Sequence, residues 1–462
     1  FPTRRSSDLT RDDLSTREFI ISHSRRFPLA SKVALAGAAL IAAGMLFSCT
    51  SKAPKSLVTP PNAAAVKAGQ AHREPVRGVW LTTVSRLDWP PVGSIIASTP
   101  ESRITQQKLA LIAKLDNLQR LGINTVFFQV KPDGTALWRS DILPWSDMLT
   151  GKIGEYPGYD PLQFMLDEAH KRGMKVHAWF NPYRVSVNTK PSTIAELNNT
   201  LTQVPASVFV LHRNWIRTAS DRFVLDPGIP EARDWITSIV AEVVQNYPID
   251  GVQFDDYFYT ETASSPLNDN ETFRRYGQGY ASKGDWRRHN TQQLIAQVST
   301  TIKKLNPNVE FGVSPAGVWR NRSHDPAGSD TRGAAAYDES YADTRSWVQQ
   351  GLLDYIAPQI YWPFARDAAR YDVLANWWAE VVKPTHTRLY IGVALYKVGE
   401  PSKNEPDWTV DGGVPELKKQ LDLNETLPQI QGTILFRENN LNQPQTRQAV
   451  NYLRSRWGQP QS

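Results

Sequence analysis

Short apolar runs alternate with longer stretches of helical periodicity eight times along this chain of 462 residues, and few folds absorb that pattern. The runs read as strands at residues 77–81, 124–130, 175–180, 251–255, 310–314, 354–360, 388–394 and 432–436. Between them lie helical stretches at 106–121, 161–172, 230–246, 286–305, 341–350, 371–382, 414–421 and 445–454. Pro161 and Pro230 stand at helix starts, where a missing amide donor costs nothing. Gly122 and Gly173 follow helix ends, where a left-handed residue closes the last turn. Eight strand–helix units predict an α/β fold, a (β/α)8 TIM-type barrel, as a single large domain over residues 76–457. An open doubly wound sheet is the alternative. No Gly-x-Gly-x-x-Gly turn follows a strand, which counts against it.

The segment before the barrel reads differently. Arg25, Arg26 and Lys32 precede an apolar run over 33–47, which has the length of a signal core and is short for a membrane span. The run ends in Leu46-Phe47-Ser48-Cys49, which resembles a bacterial lipobox: an apolar residue three before the cysteine and a small one just before it. Cys49 is the only cysteine, so no intrachain disulfide and no cysteine metal site can form. Residues 23–48 are therefore expected to be a lipoprotein signal peptide, with Cys49 lipidated and anchored to a membrane. Thr50 stands where an Asp would resemble a retention signal for the inner membrane, so the outer membrane, facing the periplasm, is the expected location. Residues 49–75, rich in Pro, Ala, Ser and Lys, read as a flexible tether. The chain begins at Phe1, and residues 1–22 read as an upstream extension or an artefact.

Formal net charge is +6, and about half of it falls in residues 1–48. The rest holds no Lys/Arg block of the kind that tracks nucleic acid, so no nucleic-acid partner is expected. The eight histidines are scattered without a His-x-x-x-His pair, so neither a metal nor another cofactor is expected.

Barrel active sites form at the carboxyl ends of the strands. There the sequence places Gln129, Lys131 and Asp133 after strand two, and Trp179, Asn181, Tyr183 and Arg184 around the end of strand three. Asp255, Asp256 and Tyr257 end strand four, Tyr361 and Trp362 follow strand six, and Arg437, Glu438 and Asn439 follow strand eight. Acids beside aromatic rings at one mouth suit a site that cleaves sugars: carboxyl groups move protons, and rings stack on pyranose faces. Alternation points Asp255 into the barrel with Gln253, and Asp256 out of that row. Asp255 and Asp256 are the candidate catalytic pair; structural strand-end acids are the competing reading. Glu438 is the candidate second acid, and a simple Arg437–Glu438 ion pair is the competing reading for it. Asn181, Arg184, Tyr257, Tyr361, Trp362 and Asp133 are candidate substrate contacts. His177 reads as a satisfied core histidine. Asp226 reads as a turn former, and Asn268-Asp269-Asn270-Glu271 as a loop or helix cap, since it lacks the spacing of a calcium loop.

Arg77-Gly78-Val79-Trp80-Leu81, Val126-Phe127-Phe128-Gln129-Val130, the run from His177 to Arg184, Gly251-Val252-Gln253-Phe254-Asp255-Asp256-Tyr257 and Pro358-Gln359-Ile360-Tyr361-Trp362 together resemble the bacterial glycosyl-hydrolase-like 10 family. With the lipobox and tether, the resemblance extends to the enterobacterial lipoproteins of that family. It implies a glycoside hydrolase that cleaves peptidoglycan glycan strands, particularly those lacking stem peptides, during septal wall processing. The implied partners are the glycan, the membrane and the cell-division machinery. Chitinase-type barrels carry Asp-Gly-x-Asp-x-Asp-x-Glu on strand four. Here Asp250 and Asp255 match, while Gln253 replaces the middle Asp and Tyr257 stands in the place of the Glu. The proton donor of that pattern is therefore absent. A non-catalytic glycan-binding lipoprotein is the alternative function.

Overall fold

The computed structural model describes residues 73–458. The expected signal peptide, Cys49 and most of the expected tether lie outside them. Eight parallel strands close into a barrel. In chain order they are β1 (Val76–Leu81), β2 (Thr125–Lys131), β3 (Lys175–Phe180), β4 (Gly251–Phe254), β5 (Glu310–Val313), β6 (Tyr355–Ile356), β7 (Arg388–Val393) and β8 (Ile430–Leu435). Each pairs with the next, and β8 returns to β1 in the register Val76↔Gly432 to Val79↔Leu435. The outer helices are α1 (Pro100–Leu121), α2 (Pro161–Lys171), α3 (Pro230–Asn246), α4 (Lys283–Leu305), α5 (Thr344–Gln349), α6 (Tyr371–Val382), α7 (Val414–Thr426) and α8 (Arg447–Trp457). The expected fold is thus present, element by element.

Local chemistry sets the helix ends. The Thr99 hydroxyl accepts from the Ser102 amide and Pro100 opens α1, while Gly122 at φ 86° closes it. Asp160 caps α2 by accepting from the Gln163 amide. The expected strand over 354–360 shrinks to two ladder residues, because Pro358 offers no amide donor; isolated bridges from Gln359 carry the pairing on.

The strands are buried on both faces, as a covered parallel sheet requires. The outward faces pack on the helices in one large apolar layer containing Val126, Phe128, Val252 and Phe254. The inward faces form a separate cluster of Trp80, Phe127, Trp179, Tyr355, Tyr390 and Ile434. Glycines make room for the large rings inside. A Cβ on Gly251 would sit 2.3 Å from the His177 ring, and one on Gly312 2.2 Å from Tyr355. Gln253 ties the interior together, accepting from Trp80 Nε1 at 2.6 Å and donating to Tyr355 Oη at 3.3 Å.

One element was not anticipated. Between β3 and α3 the chain adds short helices and a hairpin, Ile216–Ala219 paired with Arg222–Leu225. Its two turn residues, Ser220 and Asp221, both take positive φ, the conformation of a type I′ turn. Neither is Gly or Asn, so the usual hairpin signal is missing. The hairpin docks on the β3 tip through a bridge between Arg184 and Val224.

Candidate active site

Alternation along β4 carries Asp255 into the barrel mouth above Gln253. Asp255 is 4% exposed, and Trp179 Nε1 donates to its Oδ2 at 3.0 Å. The Tyr257 amide donates to Oδ1 at 3.3 Å. Burial, and then the charge of Asp256, push the Asp255 carboxyl up to about 7; the Trp179 bond and the Arg184 charge pull the other way. Asp256 leaves the inward row, as alternation predicts, and is half-buried. Its charge raises the proton affinity of Tyr257 and of Tyr361, residues that follow β4 and β6.

Lys131, at the end of β2, is 1% exposed. Its ammonium donates to the carbonyl of Asn181 at 2.8 Å, and to those of Pro182 and Arg184 at 3.4 Å. It thereby fastens the loop that carries Asn181 and Arg184. Burial brings Lys131 down to about 7 against the pull of Asp133 and Asp255. The sequence placed this lysine at a strand tip and gave it no role. A lysine closing a strand that is otherwise mostly apolar was the available signal. Trp179 was likewise placed at the mouth without a role.

Asn181 is fully buried; its Oδ1 accepts from the Arg184 amide at 3.3 Å. Its Nδ2 has no hydrogen-bond partner among the described residues. An idle buried donor is costly, and a substrate oxygen would satisfy it. The Arg184 guanidinium lies 4.6 Å from the centroid of the half-buried Tyr257 ring. Asp133 turns back on its own loop, accepting from the Thr135 amide at 2.9 Å and hydroxyl at 2.5 Å. Burial raises its proton affinity, while Lys131 and Arg184 pull it down. Asp147, which opens a short helix between β2 and α2, and Glu196, on a helix of the segment inserted after β3, stand near it and were unforeseen. Burial and the charges of Asp133 and Glu196 bring Asp147 up to about 7.

The aromatic candidates separate. Tyr361 is 5% exposed, stacked on Phe436 and edge-on to Tyr396, so its ring seals the mouth rather than offering a face to a sugar. Trp362 is half-buried beside Gly317, and its carbonyl accepts from Gln420. Of the three, Tyr257 carries the cation contact beside the acids.

Glu438 differs most from expectation. Arg437 does not pair with it; the Arg437 guanidinium binds Asp88 at 2.7 Å. Glu438 is fully buried and pairs with Lys114 of α1 at 2.6 Å, with Asn442 donating to its other oxygen at 3.3 Å. It borders a groove of about 470 Å³ lined by Arg86, Asp88, Pro90, Lys114 and Asn439, among others, and by no residue of the β4 tip. The structure therefore ties Glu438 to α1 and does not bring it to Asp255 through any described contact.

The remaining polar readings are structural. His177 Nδ1 meets Tyr355 Oη at 2.9 Å, and burial brings the imidazole down to about 4. Asp226 accepts from the Gly228 amide at 3.0 Å, which is the expected turn. Asp269 sits at the start of a short helix, but its carboxylate goes to Arg287 and Lys283 rather than to a helix amide. Among the described residues no group of His, Cys, Asp and Glu is placed to hold a metal ion.

Comparison with known proteins agrees with this architecture. The family model Glycosyl hydrolase-like 10 matches residues 75–410. The chain is 77% identical over 415 residues to Glycosyl hydrolase DigH of Escherichia coli O6:H1, covering 90% of this chain and 94% of that protein. It is 73% identical over 440 residues to Glycosyl hydrolase DigH of Escherichia coli K12, covering 95% and 99%. Glycosyl hydrolase YngK of Bacillus subtilis is 43% identical over 376 residues, covering 81% of this chain and 70% of that protein. With its closed eightfold barrel and the β4 acid pair at the mouth, this chain belongs to the Glycosyl hydrolase-like 10 family.

Proposed function

We propose that this chain is a glycoside hydrolase acting on peptidoglycan glycan strands that lack stem peptides. The observation that carries the reading is Asp255, a carboxyl buried at the fourth strand tip, brought up to about 7 and held by Trp179 beside a second carboxylate. Glycoside hydrolysis asks for one carboxyl that keeps its proton and another that stays charged. Asp255 gives its proton to the departing glycosidic oxygen. Asp256 stabilises the positive charge that builds on the anomeric carbon. Water then adds its oxygen to that carbon, and its surplus proton returns to the carboxyl pair. The idle Asn181 amide and the Arg184–Tyr257 contact supply donors and a ring edge for sugar hydroxyls. Relatives named as glycosyl hydrolases support the reaction class.

The remainder of the reading follows the lipobox and the family resemblance. Cys49 carries the lipid anchor, and the barrel works from the outer membrane on the wall in the periplasm, alongside the cell-division machinery. Release of soluble sugars from purified denuded glycan tests the reaction. Wild type is expected to release them, and Asp255→Asn and Asp256→Asn to lose most of that release. Undiminished release by both variants refutes the site. A second reading, a glycan-binding protein without turnover, is favoured by Tyr257 in the place of the chitinase glutamate and by the engagement of Glu438 with Lys114. Binding of glycan without product over a long incubation would select it.

A further inference from the structure

Arg184 and Arg222 come from separate segments yet share a face. Arg184 lies opposite Val224 in a local antiparallel bridge, and directly opposed residues project to the same side. Arg222 is two positions from Val224 on the same strand, so alternation puts it on that side too. On this face Val224 packs with Tyr259, close in sequence to Tyr257.

Tyr257 feels both charges. Burial and Asp256 raise its proton affinity, and Arg184 and Arg222 each lower it. Arg222 itself is brought down to about 10, first by burial and then by the repulsion of Arg184. The Arg184 guanidinium makes no hydrogen bond or ion pair to any described side chain and rests against the Tyr257 ring. The charge of Arg184 also acts on Asp255, Asp133 and Lys131, all at strand tips of the mouth. Arg184 is buried and Arg222 half-buried, so two positive charges face one part of the mouth, where an anion entering beside Tyr257 meets both.

The geometry points to an anion subsite formed by Arg184 and Arg222 around Tyr257, beside Asp255, that takes a carboxylate carried by the substrate sugar. This inference rests on the glycan reading given above. In peptidoglycan the carboxylate belongs to the lactyl group of the muramic acid ring. A stem peptide holds that group as a neutral amide, so its charge exists only once the peptide has been removed. The arginine pair therefore reads the peptide state of the strand electrostatically, by the presence of a charge and not only by the absence of bulk.

Two matched glycans test this: denuded strands with free lactyl carboxylates, and the same strands converted to lactyl methylamides, which lose the charge and stay small. Wild type is expected to favour the free carboxylate by about tenfold or more in kcat/KM. Arg184→Gln and Arg222→Gln are expected to lower the rate on the charged strand and bring the ratio toward one. Equal wild-type rates on both strands overturn the subsite, and this comparison needs no variant to fold. Variant losses that are the same on both strands overturn it as well. An oligouronide, whose carboxylates sit on the ring carbon chain, serves as competitor. Competition equal to that of denuded strand at matched carboxylate concentration overturns the lactyl assignment. If neither strand yields product, equilibrium binding decides. Charge-dependent binding weakened by either variant upholds the subsite while the hydrolytic reading falls, and equal binding of both strands overturns the subsite.

Discussion

Replacing Asp255 with Asn is expected to cost activity and to stabilise the fold at alkaline pH. In the folded chain the carboxyl is brought from an ordinary 3.8 to about 7. The folded state therefore holds this proton more tightly than the unfolded state does. Between those two values the folded chain binds more protons, so wild-type stability falls as pH rises. The penalty is absent below about 3.8 and complete above about 7. At about 1.4 kcal/mol for each tenfold change in proton affinity, the full penalty is roughly 4 kcal/mol. An Asn side chain escapes it at every pH. It also offers one acceptor where the carboxylate offers two, so either Trp179 or the Tyr257 amide loses a partner, at about 1–2 kcal/mol. The Asp255 charge also supports protonation of Lys131, and its loss trims the gain a little further. A net gain of about 2 kcal/mol near pH 8 is expected, turning into a small loss near pH 4. Urea denaturation of wild type and variant at several pH values between these limits measures it. A difference between the two proteins that stays constant with pH refutes the reasoning, because it means that Asp255 titrates like an exposed carboxyl.

Activity should fall as pH rises through about 7, since the proton on Asp255 is the one transferred. Any residual turnover by Asp256→Asn should lose its alkaline limb at lower pH, because the neighbouring charge that holds the proton on Asp255 is gone; an unmoved limb counts against the pairing. Trp179→Phe should move the limb upward in the pH profile, as the bond favouring the charged carboxyl is removed. Lys131→Met leaves the carbonyls of the Asn181–Arg184 loop without their donor, and should cost about 1–3 kcal/mol in denaturation along with most activity. Lys114→Met should cost about 3–5 kcal/mol by leaving Glu438 buried and unpaired. The double variant Lys114→Met/Glu438→Gln should regain much of that and remain active, whereas loss of activity with stability restored would make Glu438 a participant in the chemistry.

The barrel was legible because its information is local and repeated: apolar runs, proline at helix starts, glycine at helix ends. The tip of β4 was legible for the same reason, since alternation fixes which of two adjacent acids points inward. Pairing across the mouth was not. Arg437 and Glu438 are neighbours in the chain, yet each bonds to a residue from the β1–α1 region, Asp88 and Lys114. Nothing local distinguishes that exchange from a pairing of the two with each other. Lys131 was visible as a residue and invisible as a function, because its role depends on three carbonyls some 50 positions away in the chain. The hairpin escaped notice because Ser220 and Asp221 adopt a turn for which they are poor sequence signals.

The seam between β1 and β8 has a consequence for how the molecule is made. Val76 pairs with Gly432, so the barrel closes only when segments roughly 350 residues apart meet, an entropic cost of about 5 kcal/mol by loop-closure scaling. A nascent chain in which β8 has not yet been made has no partner for the open edge of β1. Such a chain exposes a ladder of unpaired amides and carbonyls, and is a target for proteases and for mispairing with other chains. Synthesis of β8, rather than formation of any early helix, is thus the event that commits this barrel to its native topology. The large sequence separation of that final contact makes closure a slow step of folding.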